Sequence, residues 1–231
     1  EIAFAGHPTI GSAYVAIETG IAPAAAALVQ ECTAGLLPIR VHPQGVGHGL
    51  AVRAPTARLL PNPPACGVLL AAACAGADRG AIEPTLVEGG RSWWIMEVSD
   101  ESGLRAWQPD HPAILALAQS TGALGLCAFA RARSPDYQLA VRAFPAAVGI
   151  VEDPASGAAN GLIAALIAER EPHSALANGY RISQGREIGG DALIDVAFDP
   201  EGGVWVGGRS HIVIEGHLDW PGDGDNSLRR D

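Results

Sequence analysis

The apolar residues of this chain repeat with two different spacings. Over Pro8–Thr19 they fall at Ile10, Ala13, Tyr14 and Ile17, the i, i+3, i+4, i+7 pattern of an amphipathic helix, and Gly20 supplies its stop. From Gly157 to Ala168 almost every position is apolar, which predicts a helix buried on all sides. Shorter helices are predicted at about Ala65–Ala75 and Pro112–Ser120. The remaining apolar runs are short and β-like: Ala26–Thr33, Leu36–His42, Leu50–Arg58, Leu86–Glu88, Ser92–Val98, Leu126–Ala132, Tyr137–Phe144, Tyr180–Gln184, Ala192–Phe198, Val204–Val206 and His211–Glu215. Ala34-Gly35, Gly89-Gly90 and Asp199–Gly203 read as turns, Gly45–Gly49 as a loop and Pro61–Pro64 as a linker. Asp219–Asp231 is polar and aperiodic, and disorder is expected there.

One pattern occurs twice. His7-Pro8-Thr9-Ile10-Gly11-Ser12-Ala13 and Asp153-Pro154-Ala155-Ser156-Gly157-Ala158-Ala159 both read [H/D]-P-x-x-G-x-A at the start of a predicted helix. In the second copy Asp153 is the expected N-cap and Pro154 the first helical residue, where a missing N–H costs nothing. Small residues there let a ligand approach the exposed amides at the positive end of the helix dipole. The repeat predicts an α+β protein of two similar halves. Each half is a mostly antiparallel, barrel-like sheet around a central helix, and the active site lies in the cleft between them. The halves are placed at residues 1–84 and 85–218, followed by the tail at 219–231.

Composition narrows the function. A formal charge of −10 over 231 residues argues against nucleic acid or an anionic membrane as partner, but a helix N-terminus can still hold a small anionic substrate. No apolar run is long enough to span a bilayer and no signal peptide opens the chain, so a cytoplasmic protein is expected. Cys32, Cys66, Cys74 and Cys127 have no C-x-x-C spacing and read as free buried thiols. Seven histidines form no metal-binding motif, so no metal is expected. A homodimer is admitted by the sequence without being required.

Ala5-Gly6-His7-Pro8-Thr9-Ile10-Gly11-Ser12-Ala13 resembles the "GHPTLGSA" stretch of the PhzF-like phenazine-biosynthesis isomerase family. Val141–Phe144 followed by Glu152–Gly157 resembles its "R-x-F … EDPATGSA" block. Gln184–Gly189 resembles its "QG-x-x-x-GR" strand, with Gly190 where the family usually has Arg, and Val206-Gly207-Gly208 fits its last strands. The blocks run in family order from Glu1 to Leu218. The resemblance implies a diaminopimelate-epimerase-like fold and cofactor-independent transfer of a proton between carbons of a small acid, such as a trans-2,3-dihydro-3-hydroxyanthranilate. It carries over His7 and Asp153 as catalytic pocket residues that orient and polarise the substrate. Gly6, Ser156, Gly157 and Ala158 carry over as the substrate-binding helix start, with the amides of Gly6, Gly157 and Ala158 as a carboxylate cradle. Ala158 stands where the family has serine, so one hydroxyl contact is lost. The family's proton-shuttling glutamate lies upstream of the first block, and Glu1, in place of Met, leads to the expectation of a further N-terminal segment carrying it.

Other readings stay open. Asp153 is equally a plain N-cap, and His7 a turn histidine held by backbone. Glu152 is a candidate second carboxylate of an acid/base pair, although consecutive residues point apart. Arg142 is expected to buttress the Asp153 loop, with direct substrate binding as the minor alternative. Ser12 and Ser156 read as helix-start hydrogen bonders, lacking a Gly-x-Ser-x-Gly elbow. His211 and His217 carry no signal. The rival functions are a racemase or epimerase of the same fold, disfavoured by the absence of Cys at either helix start, and a small-acid-binding module without catalysis.

Overall fold

A computed structural model describes residues 4–24, 27–33, 35–43 and 48–217. The expected tail at 219–231, the turn residue Ala34 and most of the Gly45–Gly49 loop lie outside them. Helices are α1 (Gly6–Glu18), α2 (Gly67–Ala73), α3 (Glu101–Ala106), α4 (His111–Thr121) and α5 (Gly157–Arg170). Strands are β1 (Ala27–Cys32), β2 (Gly35–Pro43), β3 (His48–Arg53), β4 (Arg58–Leu60), β5 (Thr85–Gly89), β6 (Arg91–Glu97), β7 (Leu126–Arg131), β8 (Leu139–Phe144), β9 (Tyr180–Gln184), β10 (Ala192–Phe198) and β11 (Val204–Arg209).

The mixed α+β class holds, and the strands join one open sheet in the order β1-β2-β3-β11-β10-β9-β8-β7-β6-β5-β4. Pairing is antiparallel except at β6–β7 and β8–β9. β3 pairs with β11, Val52 opposite Val206, so the early strands and the end of the chain share one sheet.

Alternation along the strands sorts the core. Trp93 and Ile95 of β6, Cys127 and Phe129 of β7, and Leu139 and Val141 of β8 point to one face and enclose α5 with Leu162, Ile163, Leu166 and Ile167. Trp94 and Met96, Leu126 and Ala128, and Ala140 and Phe144 point to the other face, under α2, α3 and α4. A sheet covered on both faces has no polar side to show, so these strands read as unbroken apolar runs. A third cluster packs Ile10, Ala13 and Ile17 of α1 on Leu37, Ile39, Val41, Leu50 and Val52.

Three expectations are corrected. Helix α1 begins at Gly6, two residues earlier than predicted, with Pro8 inside the first turn, where proline is tolerated. Leu50–Arg58 is not one strand: β3 ends at Arg53 and β4 starts at Arg58, with Pro55 between them. His211–Glu215 is not a strand, and Val213 and Ile214 are each 88% exposed.

Candidate active site

The starts of α1 and α5 touch backbone to backbone. A Cβ on Gly6 would stand 2.6 Å from Gly157 Cα, and one on Gly157 would stand 2.7 Å from Gly6 Cα. Only glycine fits on either side. The first amides of a helix have no acceptor within it, so two sets of orphan donors and two positive dipole ends meet here. That is a setting for an anion. The glycine that meets Gly157 is Gly6, not Gly11 as the sequence repeat aligns them; Gly11 lies inside α1, with open space where its Cβ would be.

The cap of α5 is also corrected. Ser156 is the N-cap, its Oγ accepting from the Ala159 amide at 3.4 Å. Asp153 sits three residues ahead in extended backbone, where the following proline holds it. Its amide donates to Ala143 O at 2.8 Å, and its Oδ1 accepts from the Ala155 amide at 3.1 Å.

His7 is exposed at the second position of α1, and its Nδ1 lies 2.6 Å from Ala155 O, across 148 residues of sequence. A carbonyl oxygen only accepts, so Nδ1 carries the proton. In the neutral ring, Nε2 is left as the acceptor.

These groups open onto a cavity of about 110 Å³. Gly6, His7, Ile10, Ala155 and Gly157 form one wall; Ala192, Leu193 and Ile194 of β10 and Val206–Ser210 form the other. Of the sequence-predicted site, Gly6, His7 and Gly157 thus come together at one cavity. Asp153, Ser156 and Ala158 lie beside it without lining it: Ser156 is buried with its hydroxyl engaged as the cap, and Ala158 packs on the α1 cluster. Sequence reasoning missed the β10 wall and Arg209 with Ser210 beyond Gly208. The Val206-Gly207-Gly208 block was the signal available for the second of these.

Two buried polar residues hold the loop before α5. Arg142 donates to both oxygens of Glu152, at 3.0 and 2.8 Å, and its third nitrogen donates to Leu104 O and Trp107 O. The arginine therefore buttresses the loop as expected, through Glu152 rather than Asp153. With its side chain 4% exposed and both oxygens taken, Glu152 is not placed as a free acid/base partner. Gln184, at the end of β9, accepts from the Ser156 amide and from Asn160 Nδ2 and donates to Asp153 O. Neither Gln184 nor Asn160 was singled out from the sequence; a Gln at the head of the Gln184-Gly185 block and an Asn inside an apolar helix were the available signals.

No thiol lies at either helix start. Cys127 is fully buried in β7, and burial, reinforced by the charges of Asp153 and Glu152, pushes its ionisation far up. Burial also pushes Cys74 up to about 11. Among the described residues no group of three or more His, Cys, Asp or Glu could hold a metal ion, and no helix is long and apolar enough to cross a membrane.

Comparison with known proteins follows the same lines. A fission-yeast protein, "Antisense-enhancing sequence 1" of Schizosaccharomyces pombe, is 24% identical over 94% of this chain and 75% of its own length. The "Uncharacterized isomerase YddE" of Escherichia coli K12 is 30% identical over 57% of this chain, which spans 45% of that protein. Among solved structures, a "Predicted Epimerase" of Pseudomonas aeruginosa superposes with TM-score 0.70 at 20% identity, over 93% of this chain and 76% of that one. A PhzF-family protein of Bacillus anthracis gives 0.68 at 20% identity, over 87% and 71%. A hydroxyproline epimerase from Agrobacterium vitis, with bound trans-4-hydroxy-L-proline, gives 0.56 at 13% identity, over 90% and 65%. These likenesses place the fold as diaminopimelate-epimerase-like. The family model for phenazine biosynthesis-like proteins matches residues 1–216. With that match across nearly its whole length, the chain belongs to the PhzC-PhzF family of phenazine biosynthesis-like proteins.

Proposed function

We propose that this protein is a cofactor-independent isomerase that moves a proton between carbons of a small carboxylate-bearing substrate. The observation that carries the reading is the meeting of the Gly6 and Gly157 helix starts beside His7 at one cavity. In this mechanism the substrate carboxylate lies on the amides of Gly6, Gly157 and Ala158. A base removes a proton from the carbon beside it, and the charge that spreads onto the acid is held by the same amides. His7 Nε2 accepts a hydrogen bond from substrate, or donates one when protonated, and Asp153 orients the ring or substrate from the loop. The proton then returns to a different carbon, so atoms balance without a redox partner. A dihydro-hydroxyanthranilate is the finer substrate proposal, drawn from the family.

The test is exchange in deuterated water followed by NMR, with dihydro-aromatic acids and amino acids as candidates. The assay uses the full-length product of the gene. Deuterium is expected at a substrate carbon, and His7→Ala and Asp153→Ala are each expected to slow its uptake by about 10²–10⁴-fold. Absence of exchange in the full-length product, with small acids still bound, would overturn the isomerase in favour of a binding protein. Inversion at a single carbon would instead make it an epimerase, the activity named for two of its structural neighbours. The lack of a thiol at either helix start weighs against the two-cysteine form of that chemistry.

A further inference from the structure

Gln184 is completely buried, and both ends of its amide are committed. Its Oε1 accepts from the Ser156 amide at 3.2 Å and from Asn160 Nδ2 at 2.9 Å, while its Nε2 donates to Asp153 O at 2.7 Å. The reversed amide would set NH₂ against the Ser156 N–H and oxygen against the Asp153 carbonyl, and both are backbone groups with fixed roles, so one orientation is admitted. The next residue closes the grip. Gly185 has φ +92°, and a Cβ there would stand 2.7 Å from Pro154 O. Asp153–Ser156 is thereby held from beneath by Gln184 and Gly185. On its other side the loop folds on itself, Ala155 N donating to Asp153 Oδ1, and presents Ala155 O to His7 Nδ1 at 2.6 Å.

We propose that Gln184 is a positioning residue for His7: by fixing the Asp153–Ser156 loop it aims the Ala155 carbonyl that keeps the exposed imidazole in its Nδ1–H form. Nε2, on a ring that lines the cavity, is left as the accepting nitrogen. The catalytic consequence rests on the isomerase reading of His7; the structural one does not. An exposed histidine without such a partner has no hydrogen bond to select its tautomer. Here the selecting carbonyl belongs to a different helix start, and Gln184 is what holds it in place.

Nitrogen-15 NMR of the histidine rings, at a pH above imidazole titration (about 8–9), tests this on the whole protein. In the wild type, His7 is expected as the Nδ1–H tautomer with a slowly exchanging Ser156 amide; an Nε2–H ring would overturn the proposal with no variant needed. In Gln184→Leu, His7 is expected to shift toward Nε2–H while the other histidine rings keep their patterns. Gln184→Met keeps the length but removes both the acceptor and the donor; it is expected to produce the same shift and stands in should the leucine variant not fold. An unchanged His7 ring in either folded variant would sink the proposal. In the deuterium-exchange assay, kcat is expected to fall by about 10²-fold, with KM changed far less, because the defect is one of aim. Wild-type exchange with an unmoved ring in the variants refutes Gln184 alone. A moved ring in a full-length protein that exchanges nothing refutes the isomerase alone.

Discussion

Gly6 and Gly157 are the pair of residues on which the site depends most directly, because each fills the only space the other leaves. Gly157→Ala puts a methyl 2.7 Å from a backbone carbon that cannot swing aside. The expected cost is about 1–3 kcal/mol of overpacking, with Tm lowered by about 2–4 °C per kcal/mol. Titration calorimetry with a small carboxylate is expected to show weakened binding as the two helix starts part. Glu152→Ala acts by the opposite route, leaving Arg142 buried without its charge partner. A loss of about 3–5 kcal/mol in urea unfolding is expected. Removing Arg142 as well should recover part of it, so the double variant should fall short of the sum of the singles. Glycines and a histidine next to proline are conspicuous in a sequence, which made this part of the site legible. Asp153 was misread as the helix cap because Asp-Pro ahead of an apolar run looks like a cap followed by a first turn. Ser156, nearer the helix, takes that position. Gln184 stood out only as the head of a family-like block, and its role was not legible: a buried Gln at a strand end looks like any polar residue leaving a sheet, and its partners lie 24 to 31 residues away.

Among the elements, the β10–β11 hairpin is tied by one carboxylate. Asp199 accepts from Trp205 Nε1 at 2.9 Å and from the Gly203 amide, with Arg53 Nε at 3.6 Å. The hydrogen bond from Trp205, followed by that from Gly203 and the charge of Arg53, holds the carboxyl below its ordinary range. A depressed carboxylate contributes stability above its unfolded pKa and loses it as pH falls through the folded one. Asp199→Asn is therefore expected to lower Tm at neutral pH and to flatten its decline toward about pH 2, read by thermal melts across that range. The strands β5–β8 were legible because they carry apolar residues to both faces. The six-residue helix α3 was not: it is too short for a period to show, and its only sign is the Asp100 side chain capping Gly103. His211–Glu215 failed the other way. Its apolar content suits a strand, but strand preference describes fit to a half-covered sheet, and no strand among the described residues lies beside it.

For the molecule as a whole, the organising fact is that α5 packs into one hydrophobic cluster with the strands from β5 to β11, so the helix and the strands that line the cavity share a core. Leu162→Ala or Ile163→Ala, each emptying space in that core, is expected to cost about 2–5 kcal/mol in denaturant unfolding. The helix itself was plain from its unbroken apolar run. That its sheet would be continuous with the one under α1 could not be read from the chain, because no local pattern announces a pairing between β3 and β11. That pairing also sets an order of events. β3 emerges from the ribosome about 150 residues before the strand that covers its edge, and Arg40, whose guanidinium lies over the Trp205 ring, waits equally long. Contacts that distant are slow to form and leave a hydrophobic strand edge open in the meantime. Nascent chains stalled before Val204 should thus hold Leu50 and Val52 in a protease-sensitive state and should engage chaperones, while chains released past Arg209 should become resistant in a single late step. Synthesis of β11, rather than of any helix before it, would then be the moment at which the cavity comes into existence.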